Sequence, residues 1–132
     1  MAEAEARDAP AAPPCTLVVF GAMGDLTRRL LVPALYNLAA ETLLSERFGV
    51  LAIARAPGDD QSLRRELHKS LHAFAPTASV NEASRWLARR VHYLRGDFEA
   101  AETYDAVAKW LTKRGAGDGV RNAIFYLATP PE

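Results

Sequence analysis

The chain has 132 residues, of which 49% are hydrophobic and 24% are charged, proportions typical of one soluble globular domain. Sixteen Lys and Arg residues balance sixteen Asp and Glu residues, so the net charge indicates no affinity for nucleic acid or for an acidic membrane. No apolar run approaches the ~18 residues of a transmembrane helix, and the N-terminus lacks the apolar segment of a signal peptide. The single cysteine, Cys15, excludes an internal disulfide, and we expect a cytoplasmic protein.

The N-terminal third of the chain predicts a leader, a strand and a helix. Residues 1–15 are mostly Ala, Pro, Glu and Arg, so we expect a disordered leader. Thr16–Phe20 is apolar on both faces and predicts a strand buried on both sides of a parallel sheet. From residue 26 to residue 44 apolar residues recur at helical spacing. Pro33 predicts a kink after the first turn, with the main helix starting at about that residue.

The rest of the chain alternates between strand and helix patterns. Strands are predicted at residues 48–54, 91–94 and 122–128. Helices are predicted at residues 61–74, 81–90 and 100–114, the last closed by Gly115. This order predicts an α/β fold, a Rossmann-like parallel sheet of about four strands in the order 3-2-1-4 with helices on both faces. Such sheets continue beyond a fourth strand, so residues 16–132 are interpreted as the incomplete, N-terminal part of a dinucleotide-binding domain.

A glycine turn follows the first strand. The run Gly21-Ala22-Met23-Gly24-Asp25-Leu26 leads into a helix, where backbone N–H groups and the helix dipole favour a phosphate. Gly21 permits a tight turn, and Gly24 permits close approach of a pyrophosphate. No Lys-Ser or Lys-Thr follows, which excludes a Walker-type loop. The spacing is shorter than G-x-G-x-x-G, and an ordinary strand-to-helix turn remains the alternative.

Arginine stands where many dinucleotide-binding sheets place an acid. Arg55 follows the second strand, and no acid occurs before Asp59. A guanidinium suits the 2′-phosphate of NADP, whereas an acid would hold the ribose hydroxyl of NAD, so the position predicts NADP. The alternative is a solvated surface arginine. Arg28 either assists phosphate binding or solvates its helix.

Other polar residues predict no separate site. His68 and His72 are four residues apart on a predicted helix, but no third ligand stands near them, and we expect no metal site. The pairs Arg89-Arg90 and Lys113-Arg114 are interpreted as solvated helix ends.

Several segments resemble the glucose-6-phosphate dehydrogenase family. Residues 19–38 are similar to that family's coenzyme segment, approximately G-A-S-G-D-L-A-x-R-K-L-x-P-A-L-x-x-L, and Ala54-Arg55 to the Ala-Arg that contacts the NADP 2′-phosphate. Gly96-Asp97-Phe98 resembles the segment after strand three, and residues 122–131 resemble N-R-x-F-Y-L-A-x-P-P. The cofactor-binding residues that this resemblance implies are Gly21, Ala22, Met23, Gly24, Asp25, Leu26, Arg28, Arg55, Asp97, Phe98, Ala128 and Thr129.

The resemblance implies an oxidoreductase of the pentose phosphate pathway, which moves a hydride from C1 of glucose 6-phosphate to NADP and yields 6-phosphogluconolactone. In the family, a histidine oriented by an aspartate removes the C1 hydroxyl proton. The motif that holds them, R-I-D-H-Y-L-G-K, does not occur in the 132 residues, so no catalytic residue is assigned and the chain alone is expected to be inactive. Met23 replaces the small residue usual in the turn, and Leu30 replaces a lysine that reaches the substrate.

Two other interpretations of the function remain open. One is a stand-alone nucleotide-binding module without chemistry of its own. The other is a different NADP-dependent reductase, but Tyr104 and Lys109 are five residues apart, not the four of a catalytic pair one helical turn apart. We expect glucose 6-phosphate as a partner only when the remaining domain is supplied. We also expect self-association through the last strand, because its apolar residues lie on both faces of an outer edge.

Overall fold

A computed structural model of the chain describes residues 13–21, 24, 26–74 and 82–127. Most of the predicted leader, residues 1–12, lies outside them. The strands are β1 (Thr16–Phe20), β2 (Gly49–Ala54), β3 (Val91–Arg95) and β4 (Ala123–Leu127). The helices are α1 (Val32–Ala40), α2 (Asp60–Phe74), α3 (Glu82–Ala88) and α4 (Ala101–Asp118), and a π-helical turn, Thr27–Leu31, precedes α1.

The four strands form one parallel sheet in the order β3-β2-β1-β4. In its centre, Val18 of β1 lies opposite Leu51 of β2 on one side and Phe125 of β4 on the other. The same parallel register joins β2 to β3. The predicted α/β fold and strand order are confirmed.

Alternate residues of β1 and β2 supply two cores, one on each face of the sheet. On one face Leu17 and Val19 pack with buried side chains of α1, α2 and α3. On the other face Val18 and Phe20 pack with Val107 of α4. Every residue of β1 and β2 is buried, as predicted for strands covered on both sides.

The first helical segment is shorter than predicted and begins differently. The Val32 N–H donates to the Thr27 carbonyl, five residues back, so a π-helical turn stands where the kink was expected. Pro33 then falls in the first turn of α1, where its missing N–H costs little. The helix ends at Ala40, not at residue 44, because Thr42 takes a left-handed conformation with φ of +57°.

The prediction that Gly115 closes the last helix is wrong. Gly115 lies inside α4 and is buried, and the helix continues to Asp118. Gly119, with φ of +74°, ends it by donating its N–H to the Gly115 carbonyl at 3.1 Å. Helix α3 also ends earlier than predicted, since the Arg90 N–H turns back to the Leu87 carbonyl at 2.9 Å. The bounds of the other elements differ from the predictions by at most one residue within the described part of the chain.

Candidate nucleotide-binding site

Three of the predicted cofactor residues follow strands at one edge of the sheet. Gly21 comes directly after β1, Arg55 directly after β2, and Asp97 two residues after β3. Because the strands are parallel, all three lie at the carboxyl edge, where neighbouring strands are ~4.8 Å apart. Open α/β sheets bind ligands outside the carboxyl ends of their strands, so this edge is the candidate site.

The backbone at Gly21 makes a sharp turn. Its φ of +93° belongs to a region that side chains disfavour, which explains the glycine. Its N–H donates to the Ile53 carbonyl at 3.0 Å, and its carbonyl accepts the Gly24 N–H at 2.9 Å. The Arg28 N–H then donates to the Gly24 carbonyl at 3.2 Å, so helical structure begins directly behind the turn. A positive helix end therefore stands at the end of β1.

Thr27, which was not among the predicted site residues, ties this turn to the helix. Thr27 is buried, and its hydroxyl donates to the Gly21 carbonyl at 2.9 Å. One feature of the sequence could have indicated this role: Thr27 is the only hydroxyl residue in the run 26–31, which otherwise consists of Leu and Arg. Its role is to hold the glycine turn against the first turn of the helix.

Arg55 and Arg28 are exposed, and neither side chain has an ion pair within the described residues. The acids that follow Arg55 are occupied elsewhere. Asp59 accepts the Ser62 N–H at 2.8 Å, and this hydrogen bond lowers the pKa of the Asp59 carboxyl below its usual value. Asp60 accepts the Tyr93 N–H at 2.7 Å. The two guanidinium groups are therefore available to an anion.

The loop after β3 is tied to the start of α4 by two hydrogen bonds. The carbonyl of Asp97 accepts the Thr103 hydroxyl at 2.7 Å, and the carbonyl of Phe98 accepts the Tyr104 hydroxyl at 2.6 Å. The Phe98 ring meets the ring of Phe20, the last residue of β1, edge to face with centroids 5.7 Å apart. This places a half-buried aromatic ring beside the glycine turn, able to contact a flat ligand group.

Of the remaining predicted site residues, one is described by the structure and five are not. Leu26 lies at the start of the helical segment and is 47% exposed, while Leu30, the position of the family lysine, is 60% exposed. The others lie outside the described residues: Ala22, Met23, Asp25, Ala128 and Thr129.

A cavity of about 740 Å³ lies at the opposite, amino edge of the sheet, among several cationic residues. The interpretation of Arg90 and Arg114 as solvated helix ends is wrong. The Arg114 side chain is only 10% exposed, and its guanidinium donates to the Thr16 hydroxyl and the Arg47 carbonyl. Arg90 donates to the carbonyls of Glu46 and Trp86. Both groups are engaged by the protein itself, so we do not assign a ligand to this cavity.

The described part of the chain adds neither a metal site nor a membrane-spanning helix to this picture. No group of three or more His, Cys, Asp or Glu side chains there could share a metal ion. Likewise, none of the described helices has the length and apolar character needed to cross a membrane.

Comparison with known proteins gave consistent matches. Residues 18–132 match the family model described as "Glucose-6-phosphate dehydrogenase, NAD binding domain". The chain is 39% identical to a glucose-6-phosphate 1-dehydrogenase of Chlamydia muridarum over 126 residues, which cover 93% of this chain and 25% of that protein. A Chlamydia pneumoniae enzyme of the same name is 36% identical over 121 residues, covering 91% of this chain and 24% of that protein.

Solved structures agree with these sequence matches. A glucose-6-phosphate dehydrogenase in complex with its substrate glucose-6-phosphate superposes with a TM-score of 0.80 at 25% identity, covering 92% of this chain and 25% of that one. The Mycobacterium avium glucose-6-phosphate 1-dehydrogenase gives a TM-score of 0.74 at 26% identity, covering 90% of this chain and 24% of that one. The chain thus spans about a quarter of the length of the proteins it matches.

Proposed function

The chain belongs to the glucose-6-phosphate dehydrogenase family, in its NAD-binding domain, and from that premise we propose that the carboxyl edge of its sheet binds NADP in preference to NAD. The observation that carries the preference is Arg55, exposed and without an ion pair among the described residues, directly after β2. A 2′-phosphate would give this guanidinium a charge-assisted partner, whereas the hydroxyl of NAD would not.

In this proposal the glycine turn binds the pyrophosphate. The positive φ of Gly21 and the helix that begins behind Gly24 support it, since backbone N–H groups at a helix N-terminus favour an anion. Arg28 would add charge to the same region. Phe98, packed edge to face on Phe20, would contact the adenosine part, and Asp97 lies beside it in the same clamped loop.

We further propose that the protein oxidises glucose 6-phosphate to 6-phosphogluconolactone, as expected of its family. Bound NADP would accept the hydride released from C1 of the sugar. The described residues of this chain would hold and orient the cofactor, and the base that removes the hydroxyl proton would come from outside the 132 residues. Leu30, exposed where the family has a lysine, would leave one substrate contact to other groups.

Titration calorimetry of the purified chain with NADP⁺ and NAD⁺ tests the cofactor proposal. We expect NADP⁺ to bind ten- to a hundredfold more tightly, the range that one charge-assisted contact gives. Equal affinities would contradict the assigned preference. Without an added catalytic domain, we expect no NADPH from glucose 6-phosphate. Turnover that follows this polypeptide through purification would contradict our assignment of the base.

We propose that the isolated chain also self-associates through β4. This strand is at the edge of the described sheet, and Ile124, Phe125 and Leu127 are 57%, 55% and 72% exposed. An apolar strand edge without Lys or Pro tends to pair with another copy. Light scattering should show dimers or larger species, and Ile124→Lys should reduce them. A stable monomer with protected β4 amides would contradict this.

We propose a cytoplasmic location, supported by the single cysteine, which fits a reducing compartment. A relative from Spinacia oleracea that is 29% identical is named chloroplastic, so the family is not confined to one compartment. Fractionation of cells that express the protein would decide the location.

A further inference from the structure

A second arginine lies beside Arg55 at the carboxyl edge. Arg95 is the last residue of β3 and lies opposite Ala54, the last residue of β2. Its Nε donates to the carbonyl oxygen of Arg55 at 3.1 Å. The side chain of one arginine is thus attached to the backbone of the other, although they are forty residues apart in the sequence.

Tyr93 strengthens this attachment. It lies two residues before Arg95 and so on the same face of β3. Its hydroxyl donates to the Ala56 carbonyl and lies 3.4 Å from the Ala54 carbonyl. Together the two β3 side chains engage the carbonyls of three successive residues, 54 to 56. The segment that carries Arg55 is therefore fixed by its neighbouring strand.

The rest of the Arg95 guanidinium is unoccupied by the described residues. The side chain is exposed, and apart from the Nε bond it has neither a hydrogen bond nor an ion pair within the part of the chain that the structure describes. The carboxylate of Asp97, two residues on, accepts the Glu99 N–H at 3.0 Å, and that of Asp60 accepts the Tyr93 N–H. Arg55 and Arg95 are thus two exposed cationic residues at the same edge of the sheet, joined by the bond from the Arg95 side chain to the Arg55 backbone, and neither has an ion pair with a described carboxylate.

We propose that Arg95 is a second specificity-determining residue, which binds the 2′-phosphate of NADP together with Arg55. This rests on the proposed function of the site. A phosphate monoester carries close to two negative charges at neutral pH and has three acceptor oxygens, so it can accept from both guanidinium groups. With Nε directed to the Arg55 carbonyl, Arg95 keeps four terminal N–H groups for those oxygens.

Substitution of Arg95 separates phosphate binding from a purely positioning role. In Arg95→Gln the amide can still donate to the Arg55 carbonyl, but the charge is gone. Arg95→Lys keeps the charge and loses the planar fork. Arg89→Gln, an exposed arginine at the amino edge, is the charge-matched control. The ligands are NADP⁺, NAD⁺ and adenosine 2′,5′-bisphosphate. The last of these carries the 2′-phosphate but no nicotinamide.

We expect Arg95→Gln to weaken the binding of NADP⁺ and of adenosine 2′,5′-bisphosphate by about tenfold and to leave the affinity for NAD⁺ unchanged. Arg95→Lys should recover part of the loss, and Arg89→Gln should match the unmutated chain. The preference for NADP⁺ should also fall as the pH drops below ~6, where the phosphate loses one charge, and this fall should be smaller in Arg95→Gln.

Three results would overturn the inference in distinguishable ways. An unchanged ratio of NADP⁺ affinity to NAD⁺ affinity in Arg95→Gln and Arg95→Lys would show that Arg95 does not bind the 2′-phosphate. A loss in Arg95→Gln that disappears when Arg55 has already been replaced by alanine would show that Arg95 acts only by positioning Arg55. An unmutated chain without any preference for the 2′-phosphate would contradict the proposed function itself, and the inference with it.

Discussion

At the amino edge of the sheet, Arg114 is nine-tenths buried and donates to the Thr16 hydroxyl and the Arg47 carbonyl. At the carboxyl edge, Arg55 is exposed and its side chain contacts no carboxylate among the described residues. The two residues are chemically identical and belong to the same sheet. One holds segments of the chain together, and the other remains available to a ligand.

The direction of the helices agrees with this difference. Helices α3 and α4 end at the amino edge, where their unpaired carbonyls carry partial negative charge and arginines are favourable neighbours. The π-helical turn, α2 and α4 begin at the carboxyl edge, where N–H groups carry partial positive charge. Arginines there add to a charge of the same sign. Arginines at the carboxyl edge therefore become favourable when an anion binds there. Arginines at the amino edge are already favoured by the negative helix ends of the protein itself.

The glycine turn should give the largest effect. Gly24→Val should reduce NADP⁺ affinity below detection in calorimetry, because a side chain would occupy the space that we propose for the pyrophosphate. The far-ultraviolet circular dichroism should be unchanged. Gly117→Val is the matched control, since a Cβ at Gly117 meets nothing within 4 Å at the amino edge. Normal binding by Gly24→Val would place the phosphate elsewhere.

Arg114→Met should have the largest effect on folding. It leaves the Thr16 hydroxyl and the Arg47 carbonyl without their donor, and we expect a loss of about 3 kcal/mol in the free energy of unfolding. Urea denaturation measures this. Lys113→Met, one residue earlier on the same helix and exposed, should change stability by less than about 0.5 kcal/mol. Equal losses of unfolding free energy in the two variants would mean that Arg114 does not stabilise the fold through these hydrogen bonds.

Arg55→Ala should show the reverse pattern. The NADP⁺ preference should fall by ten- to a hundredfold, equivalent to about 1.5–3 kcal/mol of binding free energy, while urea denaturation is unchanged. Arg89→Ala at the amino edge should alter neither quantity. If Arg55→Ala destabilised the fold and kept the preference, Arg55 would be a structural residue like Arg114.

The sheet was predictable from the sequence because its strands are read from local patterns. Continuous apolar runs such as Thr16–Phe20 predict burial on both faces, and the alternation of strands and helices predicts a parallel order. The position of Arg55 after a strand was predictable for the same reason. The glycine turn and the family resemblance together predict the location that we propose for the site.

The roles of the other arginines could not be predicted, because their partners are distant in the sequence. Arg114 contacts Thr16 and Arg95 contacts Arg55, pairs that are 98 and 40 residues apart. Nothing near either arginine marks it as different from a solvated one. The end of α4 was missed for a related reason: Gly115 resembles a helix terminator, yet it is buried inside the helix, and only Gly119 has positive φ.

The smallest effect concerns Asp59, the carboxylate nearest to Arg55 in the sequence after β2. Asp59 and Ser62 form a reciprocal cap at the start of α2: the Asp59 carboxylate accepts the Ser62 N–H, and the Ser62 hydroxyl accepts the Asp59 N–H. Asp59→Ala should lower the midpoint of thermal unfolding slightly at neutral pH. Asp105→Ala, an exposed acid on α4, is the control and should lower it less.

The pH dependence of this effect follows from its pKa. Hydrogen bonding by Ser62 lowers the pKa of Asp59 below its ordinary value of 3.8, so the folded state holds the proton less tightly than the unfolded state. The stabilisation is therefore complete above that value and is lost as the pH falls through the folded-state pKa. Thermal unfolding from neutral pH down to pH ~2 should show the variant and the unmutated chain converging. Because the cap occupies this carboxylate, Asp59→Ala should leave the NADP⁺ preference unchanged; a stronger preference would mean that Asp59 had been neutralising Arg55.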